Sequence, residues 1–147
     1  MTVVVDASVA VKWLLAEPES PLARALAASG EDVVAPDMVL AECANVAWKR
    51  ARRGEIDADQ ARAAVAAWPR WFRELLPAAD LVDEAFALAC GLDHPVYDCL
   101  YLAAAIRHDI SLVTADRRLI ARLADSPWQA RILDLARLPA SLGGRPG

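Results

Sequence analysis

Lysine is almost missing from this chain of 147 residues: 2 Lys stand against 14 Arg. Histidine, phenylalanine and tyrosine occur twice each, cysteine three times, and asparagine once. No apolar run approaches the roughly 18 residues of a membrane span. The start, MTVVVDASVAVKWLLA, has no basic segment and is broken by Asp6, so it makes a poor secretory signal and reads as cytoplasmic. An odd number of cysteines (Cys43, Cys90, Cys99) without a C-x-x-C pair excludes a disulfide framework and a cysteine zinc site. They read as small buried hydrophobes in a reducing compartment. The net charge of −4 argues against a strongly basic nucleic-acid module at the level of the whole chain, while leaving local basic patches open.

What the chain has in abundance is alanine, 32 residues of it, which favours helix. Apolar residues make up 56%, enough to exclude disorder, and the length suits one domain with its own core. Short β-branched runs alternate with helical stretches. Strands are expected at Thr2–Val5, Asp32–Ala35, Phe72–Leu76, Ile110–Val113 and Arg131–Leu133. Helices are expected at Ser8–Leu15, Ser20–Ser29, from an Asp37 N-cap to Arg53, from Asp57 or Asp59 to Pro69, at Asp80–Cys90 up to Gly91, at Tyr97–His108 and at Asp116–Leu123. The alternation implies an α/β fold with a central parallel sheet of four to five short strands, covered on both faces. Residues 1–139 form a single domain on this reading, and 140–147 a mobile tail.

Ligands of parallel α/β sheets bind beyond the carboxyl ends of the strands. Asp6 and Asp116 each follow an expected strand, while Glu42 and Asp98 interrupt apolar helices. Acids in such places need a reason. Capping serves for Asp98 and Asp116, which lie near helix starts. It fails for Glu42, expected more than a turn inside its helix. Four acids with few cations near them in sequence point to a metal site, and hard oxygen ligands favour Mg²⁺, or Mn²⁺, over zinc. Ser8, Asn45 and Thr114 could orient the carboxylates or a metal-bound water, although Ser8 serves equally as an ordinary N-cap. Lys49, Arg50, Arg52 and Arg53, with Arg117 and Arg118, either complement helix ends and acids or contact phosphates of a ligand. His94 in a turn and His108 at a helix end read as surface residues. The five tryptophans read as core packing or protein interface, with Trp68 and Trp71 taken as a surface for a second copy or a partner protein.

The succession VVVDASVAVKW, PDMVLAECANVAW, VYDCLYLAAAIRH and LVTADRRL resembles the PIN-domain ribonucleases, and most of all the VapC toxins of toxin–antitoxin pairs. The motifs span residues 1 to about 135 in family order. The resemblance implies a three-layer α/β/α sandwich, divalent-metal-dependent cleavage of RNA, homodimers, and a VapB-like antitoxin that occupies the active site. It carries the family's acids onto Asp6, Glu42, Asp98 and Asp116, with Ser8, Asn45 and Thr114 as polar companions. Asp6 and Asp98 are then direct ligands, and Glu42 and Asp116 bind directly or through water. Gly54–Pro77 matches no motif.

Other functions fare worse. A haloacid-dehalogenase-type phosphatase wants an acid where Ser8 stands. A phosphoacceptor receiver domain wants paired acids near the first strand and a late Lys. Neither feature is present. A non-catalytic binding module and a solitary RNA-processing nuclease stay open.

Overall fold

The computed structural model describes residues 1–138. The expected tail, 140–147, lies outside the described residues. Strand β1 (Thr2–Val5) leads through helices α1 (Ala7–Leu14) and α2 (Ser20–Ala28) to β2 (Asp32–Pro36). Helices α3 (Val39–Arg52) and α4 (Ala58–Ala67) lead to β3 (Glu74–Leu76), and α5 (Val82–Leu92) and α6 (Val96–Arg107) to β4 (Ser111–Thr114). Helix α7 (Arg117–Leu123) precedes β5 (Ile132–Asp134).

All five strands are parallel, in the order β3-β2-β1-β4-β5. The first connections step from β1 toward β3, and the later ones return past β1 to β4 and β5. Because such crossovers are right-handed, the reversal puts α1–α4 on one face and α5–α7 on the other. Helix packing agrees: α1 rests on α2 and α3, α3 on α4, and α5 on α6. Val3, Val4 and Val5 are fully buried because β1 is central and covered on both sides. The reversal falls between β1 and β4, where Val5 pairs with Val113. An open α/β sheet has its binding crevice at such a switch point.

The core explains two of the tryptophans differently from the sequence expectation. Trp68 is buried and donates its indole N–H to the Ala10 carbonyl at 2.8 Å. Trp71 stacks on buried Trp13, ring centroids 5.3 Å apart. Neither is a free surface for a partner. The pair docks the segment after α4 onto α1, which the Gly54–Pro77 stretch, matching no motif, did not foretell. Cys43 and Cys99 are buried as expected, but Cys90 is exposed.

Some boundaries move for physical reasons. Asp37 does not cap α3. Its carboxylate accepts from the Ala78 N–H at 3.1 Å and ties β2 to the segment after β3, so α3 starts later with no side-chain cap. Helix α5 runs through Gly91 and stops at Asp93, which adopts φ 51°, a left-handed conformation that Asp tolerates better than most residues. The last strand and its predecessor are each shifted one residue toward the C-terminus.

Candidate active site

Asp6 is the first residue after β1, and its carboxylate is almost fully buried. It caps α1, accepting from the Val9 N–H at 3.3 Å. Ser8 is therefore not the N-cap. Its hydroxyl donates to Asp6 Oδ1 at 2.5 Å, while Thr114 Oγ1 donates to Asp6 Oδ2. Each hydroxyl also accepts a backbone N–H, from Ala115 to Ser8 at 2.9 Å and from Asp116 to Thr114 at 3.0 Å. With those acceptor positions filled, both O–H bonds are directed at Asp6. The β4–α7 turn thus reads the carboxylate across the switch point. Burial, and secondarily the charge of Asp116, raises the Asp6 carboxyl from 3.8 to about 7, against the pull of the two hydroxyls.

Asp116 caps α7, accepting from the N–H groups of Arg118 at 2.9 Å and Leu119 at 3.3 Å. Glu42 lies in the first turn of α3, not deeper as the sequence implied, because α3 begins at Val39. It bonds no backbone there. Instead Tyr101 of α6 donates its hydroxyl to Glu42 Oε1 at 2.8 Å. Burial and the neighbouring charge of Asp98 raise the Glu42 carboxyl, and the Tyr101 bond opposes them. Burial first, and then the charge of Glu42 and more weakly that of Asp6, push the Tyr101 hydroxyl up. Asp98, in the first turn of α6, is paired through Oδ2 with His94 Nε2 at 2.7 Å. The His94 side chain is only 10% exposed, so the surface reading of this histidine does not hold.

An open cleft of about 770 Å³ separates the start of α6 from α7. Asp98 and His94 line one wall, and Asp116, Arg118 and Arg122 the other. Asp6 and Glu42 do not reach this lining. Among the described residues, none of the four acids is ion-paired to Lys or Arg.

A match to the PIN domain family covers residues 3–125. The chain belongs to that family. This PIN domain is 33% identical over 121 residues to "Ribonuclease VapC3" of Pyrobaculum aerophilum, covering 81% of this chain and 92% of that relative. Its fold is that of the crystal structure of PAE2754 from the same organism, with a TM-score of 0.65 at 24% identity over 92% and 93% of the two chains. The expected α/β sandwich with a parallel central sheet is thereby borne out.

The PIN domain places the remaining sequence candidates unevenly. Asn45 is exposed on α3 and bonds none of the acids. Arg50 is engaged by Glu17, at 2.5 Å, and by the Ala16 carbonyl. Glu17 also holds the nearly buried Lys12 at 3.0 Å, so this ion-pair network ties the end of α1 to α3. Arg117 grips both oxygens of Asp134, one at 2.7 Å, and holds the Asp134 carboxyl below its ordinary value. Lys49, Arg52 and Arg53 are exposed, and with Trp48 they line a shallow hollow where Arg52 lies 5.4 Å from the indole centre. Arg118 is exposed in the acidic cleft.

Sequence reasoning missed the parts played by Tyr101, His94 and Arg122. Each was within reach of a simple rule: they lie three after, four before and four after a residue already singled out, which is one turn along or beside the same helix. No helix among the described residues is long and apolar enough to cross a membrane.

Proposed function

We propose that this PIN domain is a divalent-cation-dependent endoribonuclease, the toxin of a toxin–antitoxin pair, and that Asp6, Glu42, Asp98 and Asp116 hold the cation. One observation carries the reading. Burial raises the Asp6 and Glu42 carboxyls at the sheet's switch point, the charges of Asp116 and Asp98 add to that rise, and among the described residues no Lys or Arg pairs with any of the four acids. Negative charge gathered this way calls for a cation, and an all-oxygen donor set suits Mg²⁺ or Mn²⁺. The donors fit by chemistry, though not yet by convergence: among the described residues, no three His, Cys, Asp or Glu side chains form a ready cage. Asp98 and Asp116 already line the cleft, and Asp98 would exchange its His94 partner for the cation.

When bound, the cation would supply charge for a developing phosphoryl oxyanion and a water of lowered pKa. The residues of the chain do the rest. Ser8 and Thr114 hold Asp6 with both oxygens directed by hydroxyl donors. Tyr101 fixes Glu42 Oε1 and leaves Oε2 free of protein partners among the described residues. Asp116, which lines the cleft, is anchored by two backbone N–H groups on Oδ1, and its other oxygen has no hydrogen-bond partner among the described residues. His94 Nε2 holds Asp98 until it is needed. The relative named as a ribonuclease supports RNA as substrate; a VapB-like antitoxin, a homodimer and a cytoplasmic setting belong to the same proposal.

The test is RNA cleavage by purified protein freed of antitoxin, with Mg²⁺ and with chelator. Cleavage that stops with chelator and is abolished in Asp6→Asn supports the proposal; full activity in that variant refutes it. The protein donors engaged by every acid favour a second reading, a non-catalytic site that receives a partner's arginine. Absence of cleavage by intact, metal-loaded protein would decide for it.

A further inference from the structure

The acidic cleft has a cationic wall that the four-carboxylate site does not explain. Arg118 and Arg122 are four residues apart on α7, about 6 Å along the helix axis, and face the same cleft as Asp98 and Asp116. Both are exposed. Among the described residues neither makes an ion pair, although Asp93, Asp98, Asp116 and Asp125 line the same cleft. Their neighbour Arg117 behaves in the opposite way and is spent on Asp134. Two guanidinium groups standing open among four carboxylates are poorly used for stability, where each would gain by closing on an acid. They are well placed for an anion that arrives from solution.

We propose that Arg118 and Arg122 form a phosphodiester-binding pair that holds the RNA backbone beside the reacting phosphate; this rests on the ribonuclease reading of the same cleft. A chain whose net charge is −4 and whose site is acidic repels a polyanion, so productive approach needs local cations at the cleft itself. Arginine suits the task, since its planar fork matches two phosphate oxygens at once. The spacing of the pair along α7 is comparable to one nucleotide step of an extended strand. One arginine can then grip the phosphate nearest Asp116 and the other the next along. Arg122 is thereby assigned a role, and Arg118 is separated from Arg117, which sequence alone could not do.

The experiment measures binding of a fluorescein-labelled single-stranded RNA by anisotropy, with chelator present so that nothing is cleaved, over a range of salt. The full chain is used as wild type, Arg118→Ala, Arg122→Ala, Arg122→Lys, and Arg62→Ala as a distant exposed arginine on α4. Leaving one fewer phosphate of a single strand neutralised lowers the steepness of the fall of log affinity with log salt by about 0.7. The expected result is that decrease for Arg118→Ala and Arg122→Ala, with affinity down several-fold at low salt and much less at high salt. Arg122→Lys should keep the slope and lose part of the affinity, and Arg62→Ala should match wild type. Unchanged slopes in both cleft variants, or the same decrease in Arg62→Ala, overturn the proposal. Unchanged slopes would leave the pair to an acidic segment of a protein partner. Binding and cleavage separate the two readings: lowered slopes in a protein that never cleaves RNA with Mg²⁺ sink the nuclease reading and leave the phosphate pair standing.

Discussion

Replacing Asp6 by Asn in chelator-treated protein should make the fold more stable, and should do so only above mildly acidic pH. The carboxyl is buried, and its pKa rises from 3.8 to about 7 chiefly because a charge there is desolvated. Between those values the folded protein binds a proton that the unfolded chain has released. Stability therefore falls as pH rises from about 4, and the cost is complete above about 7. At about 1.4 kcal/mol per pH unit, the separation of the two pKa values corresponds to about 4 kcal/mol. Asn keeps the shape: its amide oxygen can take the Ser8 and Val9 donors, and its NH2 can meet the second acceptor lone pair of the Thr114 hydroxyl. Urea unfolding of both proteins from pH 4 to 8 measures the difference. The expected curves coincide near pH 4 and separate with rising pH until Asn is the more stable by up to about 4 kcal/mol. Adding Mg²⁺ should then stabilise wild type, by about 2.7 kcal/mol at a hundredfold excess over its dissociation constant, and leave Asp6→Asn unmoved. A difference between the proteins that is independent of pH, or an Asn variant less stable at pH 8, refutes the claim that a buried, uncompensated charge resides on Asp6.

Tyr101→Phe removes the donor that holds Glu42. It should cost about 1 kcal/mol of stability and raise the Glu42 carboxyl further, seen by NMR titration of the side chain. Trp68→Ala deletes a fully buried indole and the bond to Ala10, and thermal unfolding should show a loss of about 3–5 kcal/mol. Arg50→Ala should destabilise by about 1 kcal/mol and leave the salt dependence of RNA binding unchanged, since Arg50 serves Glu17 and not solvent. The double change Arg52→Ala and Arg53→Ala should lower that salt slope if the exposed basic end of α3 touches phosphate, and leave folding intact.

The fold was legible because its signals are local. Val3-Val4-Val5 is continuously apolar, as a strand covered on both faces must be, and Asp6 follows it where a parallel sheet places ligands. Asp116 is marked in the same way after β4. Illegible from sequence were contacts made between distant segments. That Asp37 serves Ala78 and does not cap α3 depends on β2 and β3 being neighbours, and it is this pairing that leaves Glu42 in a first turn. The packing of Trp68 and Trp71 on α1 depends on where the connection after α4 lands, which no periodicity within it records.

Charge shows the same division most clearly. The run Lys49–Arg53 and the pair Arg117–Arg118 look uniform as letters, yet their members have different work. Arg50 and Arg117 have carboxylates waiting on other elements, Glu17 and Asp134, and are consumed in holding α1 to α3 and α7 to β5. Lys49, Arg52, Arg53 and Arg118 have none, and Arg122, outside both runs, joins them only because one helical turn carries it into the cleft. The net charge of −4 misleads for the same reason. It equals the charge of the four acids proposed to hold the cation, so the rest of the chain sums to zero. That neutral remainder is an average over paired ions inside the fold and open arginines at the rim of an acidic cleft. A polyanion approaching the cleft meets the open arginines, and the whole-chain sum cannot report them.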